Sequence, residues 1–179
     1  MRVIGGKFRG KKLKTFEGQD IRPTSDRAKE ALFNILNLKI NGASFLDLFC
    51  GTGSIGIEAL SRGAERVVFI DVNINSVNLT NENLKGVKQE IKALKIDAKD
   101  YLSSCKESFD IIFLDPPYAY DQVEVLVRLI SKNNLLNKDG IIIYEHKEDR
   151  QSQNFDGVEL YDVRKYGIAI FDFYKVENK

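Results

Sequence analysis

The sequence is poor in the residues that build metal centres and disulfide frameworks. Its 179 residues include one histidine and two cysteines, Cys50 and Cys105, and this set fits no metal-ligand spacing. A metal site built by this chain is therefore not expected. The two cysteines are predicted to be free thiols in a reducing cytoplasm.

Long apolar runs are missing as well. No stretch of 18 apolar residues exists, so the chain is not expected to enter a membrane. The opening residues, MRVIGGKFRGKK, lack an apolar signal core, and a cytoplasmic location is expected. A composition of 43% hydrophobic and 30% charged residues at this length is typical of one globular domain. With no conspicuous apolar surface pattern, we expect a monomer.

Charge is unevenly distributed along the chain. Residues 1–29 hold nine Lys or Arg against three Asp or Glu, a net charge of +6, whereas the remaining residues sum to −5. A basic segment on an acidic body is typical of a protein with a polyanionic partner. It is equally compatible with a merely solvated surface, and charge alone does not choose between the two.

The first part of the chain reads as an extension of a larger domain. RVIGGKFRGKKLKT predicts a small β-hairpin, and RPTSDRAKEALFNIL predicts a helix capped by Thr24 or Ser25. The expected division is a basic hairpin extension over residues 1–24 and the main domain over residues 25–179.

Strands and helices alternate from residue 43 onward. The predicted strands are SFLDLF, RVVFID, IKALKI, FDIIFL and GIIIYEH, with helices between them, and the tail predicts two antiparallel strands. This pattern predicts an α/β fold of the Rossmann-like type. Its sheet would have seven strands, mainly parallel, with an antiparallel C-terminal strand and helices on both faces.

A glycine-rich loop follows the first predicted strand of this sheet. In LDLFCGTGSIG, the glycines Gly51, Gly53 and Gly56 allow a tight turn and close approach to a ligand at a helix N-terminus. Asp71 closes the next strand 20 residues after Gly51, where a carboxylate would accept hydrogen bonds from ribose hydroxyls. Dinucleotide enzymes share both features.

Asp47 helps to distinguish a dinucleotide from a positively charged ligand. It lies four residues before the glycine loop, where a carboxylate would repel a pyrophosphate but would suit a positively charged ligand. S-adenosylmethionine carries an ammonium and a sulfonium. Asp97, after the third strand, could then accept from the adenine amino group, or it could simply cap the next helix. The pattern of acids favours a methyl-donor site.

Asp115-Pro116-Pro117-Tyr118 ends the fourth strand, which lies beside the first in a doubly wound sheet. An exocyclic amine on a base is a poor nucleophile, because its lone pair is delocalised into the ring. The Asp115 carboxylate and the rigidly held Pro116 carbonyl can accept its two N–H groups and orient the nitrogen. Tyr118 offers a stacking face, worth about 1–3 kcal/mol per base, for a flipped nucleotide.

These motifs resemble the class I amino-methyltransferases that have a (D/N)PP(Y/F) motif. More closely, the chain is similar to the RsmD-type bacterial 16S rRNA guanine-N2 methyltransferases, which act on guanine 966 of the small subunit. The similarity covers nearly the whole chain, through RVIGGKFRGKKL, RPTSDRAKEALFNIL, LDLFCGTGSIGIEALSRGA, DPPY and KYG.

The resemblance implies S-adenosylmethionine as cofactor and 16S rRNA or the small ribosomal subunit as partner. It places Asp47, Gly51 and Gly53 at the methionine end of the donor, Asp71 at the ribose, and Asp97 with Ala98 at the adenine. The other implied donor contacts are Arg22, Thr24 and Arg27. The residues implied to hold rRNA phosphates without reading sequence are Arg2, Lys7, Arg9, Lys11, Lys12 and Lys14.

Three other interpretations remain open at this point. The first is another amino-methyltransferase, acting on adenine N6 or cytosine N4 in DNA, or on a protein glutamine. The second is a non-catalytic RNA-binding assembly factor, which the intact DPPY and glycine loop disfavour. The third is a dehydrogenase, which Asp47 disfavours. His146 is interpreted as structural, since no partner for it is evident in the sequence.

Overall fold

The computed structural model describes residues 1–16, 25–87, 90–148 and 150–176. Within them, helices and strands alternate from β1 to β5, and two strands follow. The helices are α1 Asp26–Ile35, α2 Asn37–Ile40, α3 Ser54–Ser61, α4 Ile74–Leu84, α5 Ala98–Ser104 and α6 Val123–Lys132. The strands are β1 Ser44–Asp47, β2 Arg66–Asp71, β3 Leu94–Lys95, β4 Phe109–Leu114, β5 Leu136–Lys147, β6 Val158–Tyr166 and β7 Ala169–Val176.

The strands form one seven-stranded sheet in the order β3-β2-β1-β4-β5-β7-β6. The first five are parallel, and β7 runs antiparallel to both β5 and β6. The predicted Rossmann-like fold class is confirmed, including the position of β4 beside β1. The order reverses at β1, so the carboxyl ends of β1 and β4 border the crevice where such sheets bind ligands.

Helices cover both faces of the sheet, and the two hydrophobic clusters follow the alternation of the strands. Phe45, Phe69 and Phe113 face α1, α3 and α4. Leu46 and Ile112 face α5 and α6. Since both faces are buried, β4 is apolar along nearly its whole length, as expected for a central parallel strand.

Several predicted boundaries differ from the structure at the sheet margins. The strand predicted over residues 91–96 is reduced to β3, Leu94–Lys95, because it pairs with only one neighbour and its side chains are exposed. The strand predicted over residues 140–146 extends to Leu136–Lys147. Ser25 caps α1 by accepting from the Ala28 amide at 3.1 Å, while Thr24 lies outside the described residues.

The predicted basic hairpin is a loop closed by a single antiparallel bridge, Arg2 with Lys12. Val3 and Leu13 donate across this loop to the carbonyls of Lys11 and Met1, and other backbone amides of the loop donate to α3. The Glu58 carboxylate accepts from the amides of Ile4 at 2.7 Å and Gly5 at 2.8 Å. Gly6, with φ +74°, approaches so closely that a Cβ would lie 1.8 Å from the Ser61 carbonyl oxygen.

This N-terminal loop is packed against the main domain. Val3 and Leu13 are buried in the same cluster as α1 and α3. Beneath the loop, Glu58 pairs with Arg62 at 2.7 Å and with the fully buried Lys29 at 3.9 Å. The division predicted at residue 24 falls among residues that the structure leaves undescribed. None of the helices that the structure describes is long and apolar enough to cross a membrane.

Candidate active site

Three carboxylates lie at the carboxyl edge of adjacent parallel strands. Asp47 is the last residue of β1, Asp71 is the last of β2, and Asp115 directly follows β4. In the β1–β4 register, Asp47 is opposite Phe113, so Asp115 lies two residues, about 7 Å, further along the sheet edge. The fold thus brings together the three acids that the sequence places 24 and 44 residues apart.

The glycine loop turns tightly above this edge. Gly51 and Gly53 have φ of +54° and +76°, a left-handed conformation that other residues rarely adopt. A Cβ on Gly53 would lie 2.8 Å from the Thr80 side chain, whereas one on Gly51 would have only a backbone oxygen at 4.0 Å. The loop is therefore packed on the Gly53 side and open on the Gly51 side, where a ligand can approach.

Two of the acids hold this loop in place through backbone amides. Asp71 accepts from the Gly51 amide at 3.0 Å and from the Asn73 amide at 2.8 Å. Asp47 accepts from the Gly56 amide, in the first turn of α3, at 3.1 Å. Each carboxylate therefore has a structural role besides any role in binding. These hydrogen bonds orient both carboxylates toward the glycine loop.

Burial dominates the electrostatics of Asp47. Loss of water raises its pKa to about 8, against the opposing effect of the Gly56 hydrogen bond, and the nearby Asp115 and Asp71 raise the pKa further. No lysine or arginine within the described part of the chain forms an ion pair with Asp47. A cationic ligand would therefore reduce the electrostatic repulsion among these three acids.

The Asp115 side chain is exposed to solvent at the end of β4, although nearby protein atoms still reduce its hydration. This loss of water raises its pKa to about 7, although the Lys147 ammonium favours the carboxylate. A group that titrates near neutral pH at a strand-end crevice is typical of a functional site. The described residues contain no cluster of acids, cysteines and histidine suited to a metal ion.

The chemistry of this edge fits S-adenosylmethionine. A cationic ligand would favour the ionised form of the buried Asp47, whose pKa is raised in the free protein. The open side of Gly51 leaves room for its approach. Asp71, at the adjacent strand end, has oxygen lone pairs for the ribose hydroxyls beyond the two amide bonds that it accepts. A dinucleotide would instead bring a pyrophosphate toward three acidic side chains, and its negative charge would oppose their ionisation.

Replacement of Asp47 by asparagine is expected to stabilise the free protein at alkaline pH. In the folded state the Asp47 pKa is about 8 against an ordinary value of 3.8. The contribution of Asp47 to stability is therefore fully present below pH ~4, falls progressively as the pH rises, and is lost once the pH has passed about 8. Asparagine does not ionise, and its amide oxygen can still accept from Gly56. The melting temperature of Asp47→Asn should exceed that of the wild type by much more near pH 9 than near pH 5.

The matched control for this comparison is Asp156→Asn, which changes an exposed carboxylate in the same way. Its melting temperature should follow that of the wild type across the range. A stabilisation by Asp47→Asn that was the same at both pH values would contradict the electrostatic explanation.

The remaining predicted donor contacts have different positions. Asp97 caps α5 by accepting from the Lys99 and Asp100 amides through Oδ1, the helix-capping role that the sequence had left open. Ala98 is buried at the start of that helix. Arg27 is exposed on α1, and Arg22 and Thr24 lie outside the described residues. A donor-binding role for each of the five stays a prediction.

The DPPY segment forms a short loop between β4 and α6. The Tyr120 amide donates to the Pro117 carbonyl at 2.8 Å, closing a turn. The Tyr120 ring packs edge-on against Phe49 with 5.2 Å between centroids. The side chain of Tyr118 is 69% exposed, so its ring is accessible for stacking. Arg150, which sequence reasoning missed, donates to the carbonyls of Tyr118 and Tyr120.

His146 has a partner that the sequence did not reveal. Its Nε2 lies 3.1 Å from the Asp172 carboxylate on β7, and both side chains are buried. Burial lowers the His146 pKa, but the hydrogen bonds with Asp172 and with the Lys147 carbonyl, together with the Asp172 charge, outweigh it and raise the pKa above the usual value. Asp172 also accepts from Ser152 at 2.6 Å and from Tyr174 at 3.2 Å. This network joins β5 to β7, which agrees with a structural role.

The six predicted RNA contacts follow the N-terminal loop along α3 and α4. At one end, the backbone of Lys14 bonds to Asn83, which also bonds to the carbonyl of Thr52 in the glycine loop. At the other end, the Lys7 amide donates to Ser61, the last residue of α3. The other four lie between or beside these points: Arg2, Arg9, Lys11 and Lys12.

Comparison with known proteins identifies the family of this chain. The family described as "Conserved hypothetical protein 95" matches residues 1–175. The Bacillus subtilis protein YlbH is 36% identical over 98% of each chain. "Ribosomal RNA small subunit methyltransferase D" of Haemophilus influenzae is 33% identical over 98% of this chain and 93% of its own length.

The solved structures agree in fold as well. The structure of the Escherichia coli yhhF protein superposes with a TM-score of 0.87 at 28% identity, covering 100% of this chain and 99% of that one. The chain therefore belongs to the conserved hypothetical protein 95 family, the RsmD family of class I methyltransferases, whose cofactor is S-adenosylmethionine.

Proposed function

We propose that this protein transfers the methyl group of S-adenosylmethionine to the exocyclic N2 amine of a guanine in 16S rRNA, at the position corresponding to guanine 966. The relatives of Haemophilus influenzae and Escherichia coli named "Ribosomal RNA small subunit methyltransferase D" support this substrate class. The observation that best supports the proposal is the position of Asp115-Pro116-Pro117-Tyr118 beside the acid-lined glycine loop.

The chain's own groups would act by binding and orientation. Bound S-adenosylmethionine supplies a methyl carbon made electrophilic by its sulfonium. Asp47 would balance the positive charge of the donor, and Asp71 would accept from its ribose. Both lie at strand ends and accept from amides of the glycine-rich segment, Asp71 from Gly51 and Asp47 from Gly56. The crevice would therefore hold the methyl carbon toward the end of β4.

The amine would be oriented by the loop after β4. The Asp115 carboxylate and the Pro116 carbonyl would accept the two N–H groups of the guanine amine. The accessible ring of Tyr118 would stack on the base. Stacking is worth about 1–3 kcal/mol and helps to offset the cost of flipping the base out. Alignment of nitrogen, methyl carbon and sulfur then accounts for most of the rate gain, with no covalent intermediate on the protein.

The direct test is transfer of labelled methyl groups from S-adenosylmethionine. Undermodified small subunits, naked 16S rRNA and DNA would be offered in parallel, and the modified nucleoside would be identified after digestion. N2-methylguanosine from the ribosomal substrate is the expected result. Label in DNA, or in N6-methyladenosine, would contradict the substrate assignment while leaving methyl transfer itself intact.

The basic N-terminal loop should contribute a salt-dependent, sequence-independent part of RNA affinity. Lys7, Arg9 and Lys12 are exposed and lie in this loop. Changing all three to alanine should weaken binding to any RNA of equal length by a similar factor. The slope of log Kd against log salt should fall by about 2 to 3, because up to three phosphate contacts are lost.

The matched control removes three exposed lysines beside α5, α6 and the start of β5. These are Lys106, Lys132 and Lys138. This triple variant loses the same charge but should keep the wild-type salt slope. Equal losses in the two triple variants would show that net charge, and not the position of the N-terminal loop, determines RNA affinity.

A further inference from the structure

Arg150 makes a set of contacts that the motif residues do not explain. Its amide donates to the Lys147 carbonyl at 3.0 Å, so the chain turns back sharply after β5. From this turn the guanidinium donates to the Tyr144 hydroxyl at 2.9 Å and to the Tyr120 carbonyl at 2.8 Å. It also donates to the carbonyl of Tyr118. Two of these three acceptors belong to the loop that begins with DPPY.

These bonds connect the loop to β5 on one side. On the other side, the Tyr120 ring packs on Phe49, two residues after Asp47. The loop is therefore braced between the ends of β1 and β5. Because Arg150 bonds to the carbonyl of Tyr118 itself, it restricts the backbone from which the exposed Tyr118 ring projects. A planar guanidinium can serve several oxygens in fixed directions, which an ammonium cannot do in the same way.

We propose that Arg150 is a positioning residue for methyl transfer, holding the Tyr118–Tyr120 backbone so that the stacking ring and the Pro116 carbonyl meet the target base. This inference rests on the proposed function, because it concerns the loop assigned to the amine. It adds a residue 35 positions after Asp115 to the machinery of the site. Because Arg150 orients the loop, its replacement should change kcat more than KM or the affinity for RNA.

The surroundings of Arg150 make a chemical rescue possible. Its side chain borders a cavity of about 280 Å³ that opens to solvent and also includes Tyr144 and Phe155. A small guanidinium ion can enter a space of this size. In an Arg150→Ala protein it could occupy the vacated position and restore the bonds to the loop carbonyls.

The test compares Arg150→Ala and Arg150→Lys with the wild type, using the RNA substrate of the transfer assay. Both variants should lose about 10- to 100-fold in kcat, with KM for RNA and Kd for S-adenosylmethionine within about threefold. Guanidinium ion should recover part of the loss in Arg150→Ala only. The control is Arg128→Ala, an exposed arginine on α6 that pairs with Glu124. This variant should keep the wild-type kcat, KM and Kd.

Two kinetic outcomes would overturn the inference. Wild-type kcat in Arg150→Lys would mean that charge alone is needed. A raised KM with unchanged kcat would mean that Arg150 binds RNA without orienting the loop.

Hydrogen exchange of the protein alone separates this inference from the proposed function. The Tyr120 amide, bonded to Pro117, should exchange about tenfold faster in Arg150→Ala than in Arg128→Ala. Unchanged exchange at Tyr120 would show that Arg150 does not restrain the loop, whatever the transfer assay shows. If the wild type methylated no RNA while Tyr120 exchanged faster, the proposed function would fall, and with it the catalytic role of Arg150.

Discussion

Asp115→Asn should lower the rate of methyl transfer by at least about 100-fold. Asparagine is nearly the same size, but it replaces one carboxylate oxygen with an amide NH₂ that would meet the N–H groups of the target amine. Binding of S-adenosylmethionine should change only a few-fold, because Asp47 and Asp71 keep their bonds to the glycine loop. Single-turnover transfer to the ribosomal substrate and titration calorimetry with the donor measure the two effects separately.

The pH dependence gives an independent check on the same residue. The Asp115 pKa is about 7 in the free protein, and the ionised form accepts the hydrogen bonds. The single-turnover rate should therefore rise with pH through about 7 and then level off. Asp139→Asn, at the opposite edge of the sheet, is the control and should keep the wild-type rate and profile. An Asp115→Asn variant with the wild-type rate would remove this residue from the mechanism.

Glu58→Gln is expected to have the largest effect on folding, lowering the free energy of unfolding by about 3–5 kcal/mol. The Glu58 side chain is fully buried and contacts two backbone amides, Arg62 and the buried Lys29. Glutamine leaves the Lys29 charge uncompensated and presents an NH₂ to amides that need an acceptor. Chemical denaturation followed by circular dichroism measures the loss.

The role of Lys29 in this loss can be separated from that of the amides. Burial lowers the Lys29 pKa, while Glu58 raises it, so in Glu58→Gln the lysine should lose its proton more easily. The destabilisation should thus shrink as the pH rises toward 10.5, the ordinary lysine pKa. Adding Lys29→Met to Glu58→Gln should recover part of the lost stability.

Glu124→Gln is the control for these variants, because Glu124 is an exposed glutamate paired with Arg128 on α6. It should change stability by less than about 0.5 kcal/mol. If Glu58→Gln were equally mild, the N-terminal loop would not depend on Glu58 for its attachment to α3.

The alternation of strands and helices was readable from the sequence because each element buries a distinct pattern of side chains. FDIIFL is apolar on both faces and becomes the central β4, and the residues on one face of VEVLVRLISK become the buried side of α6. Edges were predicted less well. β3 is only two residues long, and the hairpin bonds to α3 as well as to itself, because pairing at an edge depends on neighbours that a sequence window does not contain.

The candidate site likewise has a part that the sequence predicts and a part that only the structure shows. Gly51, Gly53, Asp47, Asp71 and the DPPY segment lie at strand ends, and parallel strands bring their carboxyl ends to one edge. Their proximity therefore follows from the order of the elements. The sequence by itself determined that the site lies at the carboxyl ends of the parallel strands, that it is acidic, and which family the chain resembles.

Only the tertiary structure decided which distant groups complete that edge. Arg150 lies in a polar stretch with no periodic signal, yet it bonds to the loop after β4. Glu58 reads as an ordinary helix residue, yet it holds the N-terminal loop from beneath. His146 finds Asp172 through the antiparallel pairing of β5 with β7. Each of these contacts joins elements far apart in the chain, and a hydrogen bond of about 3 Å depends on packing that local propensity does not specify.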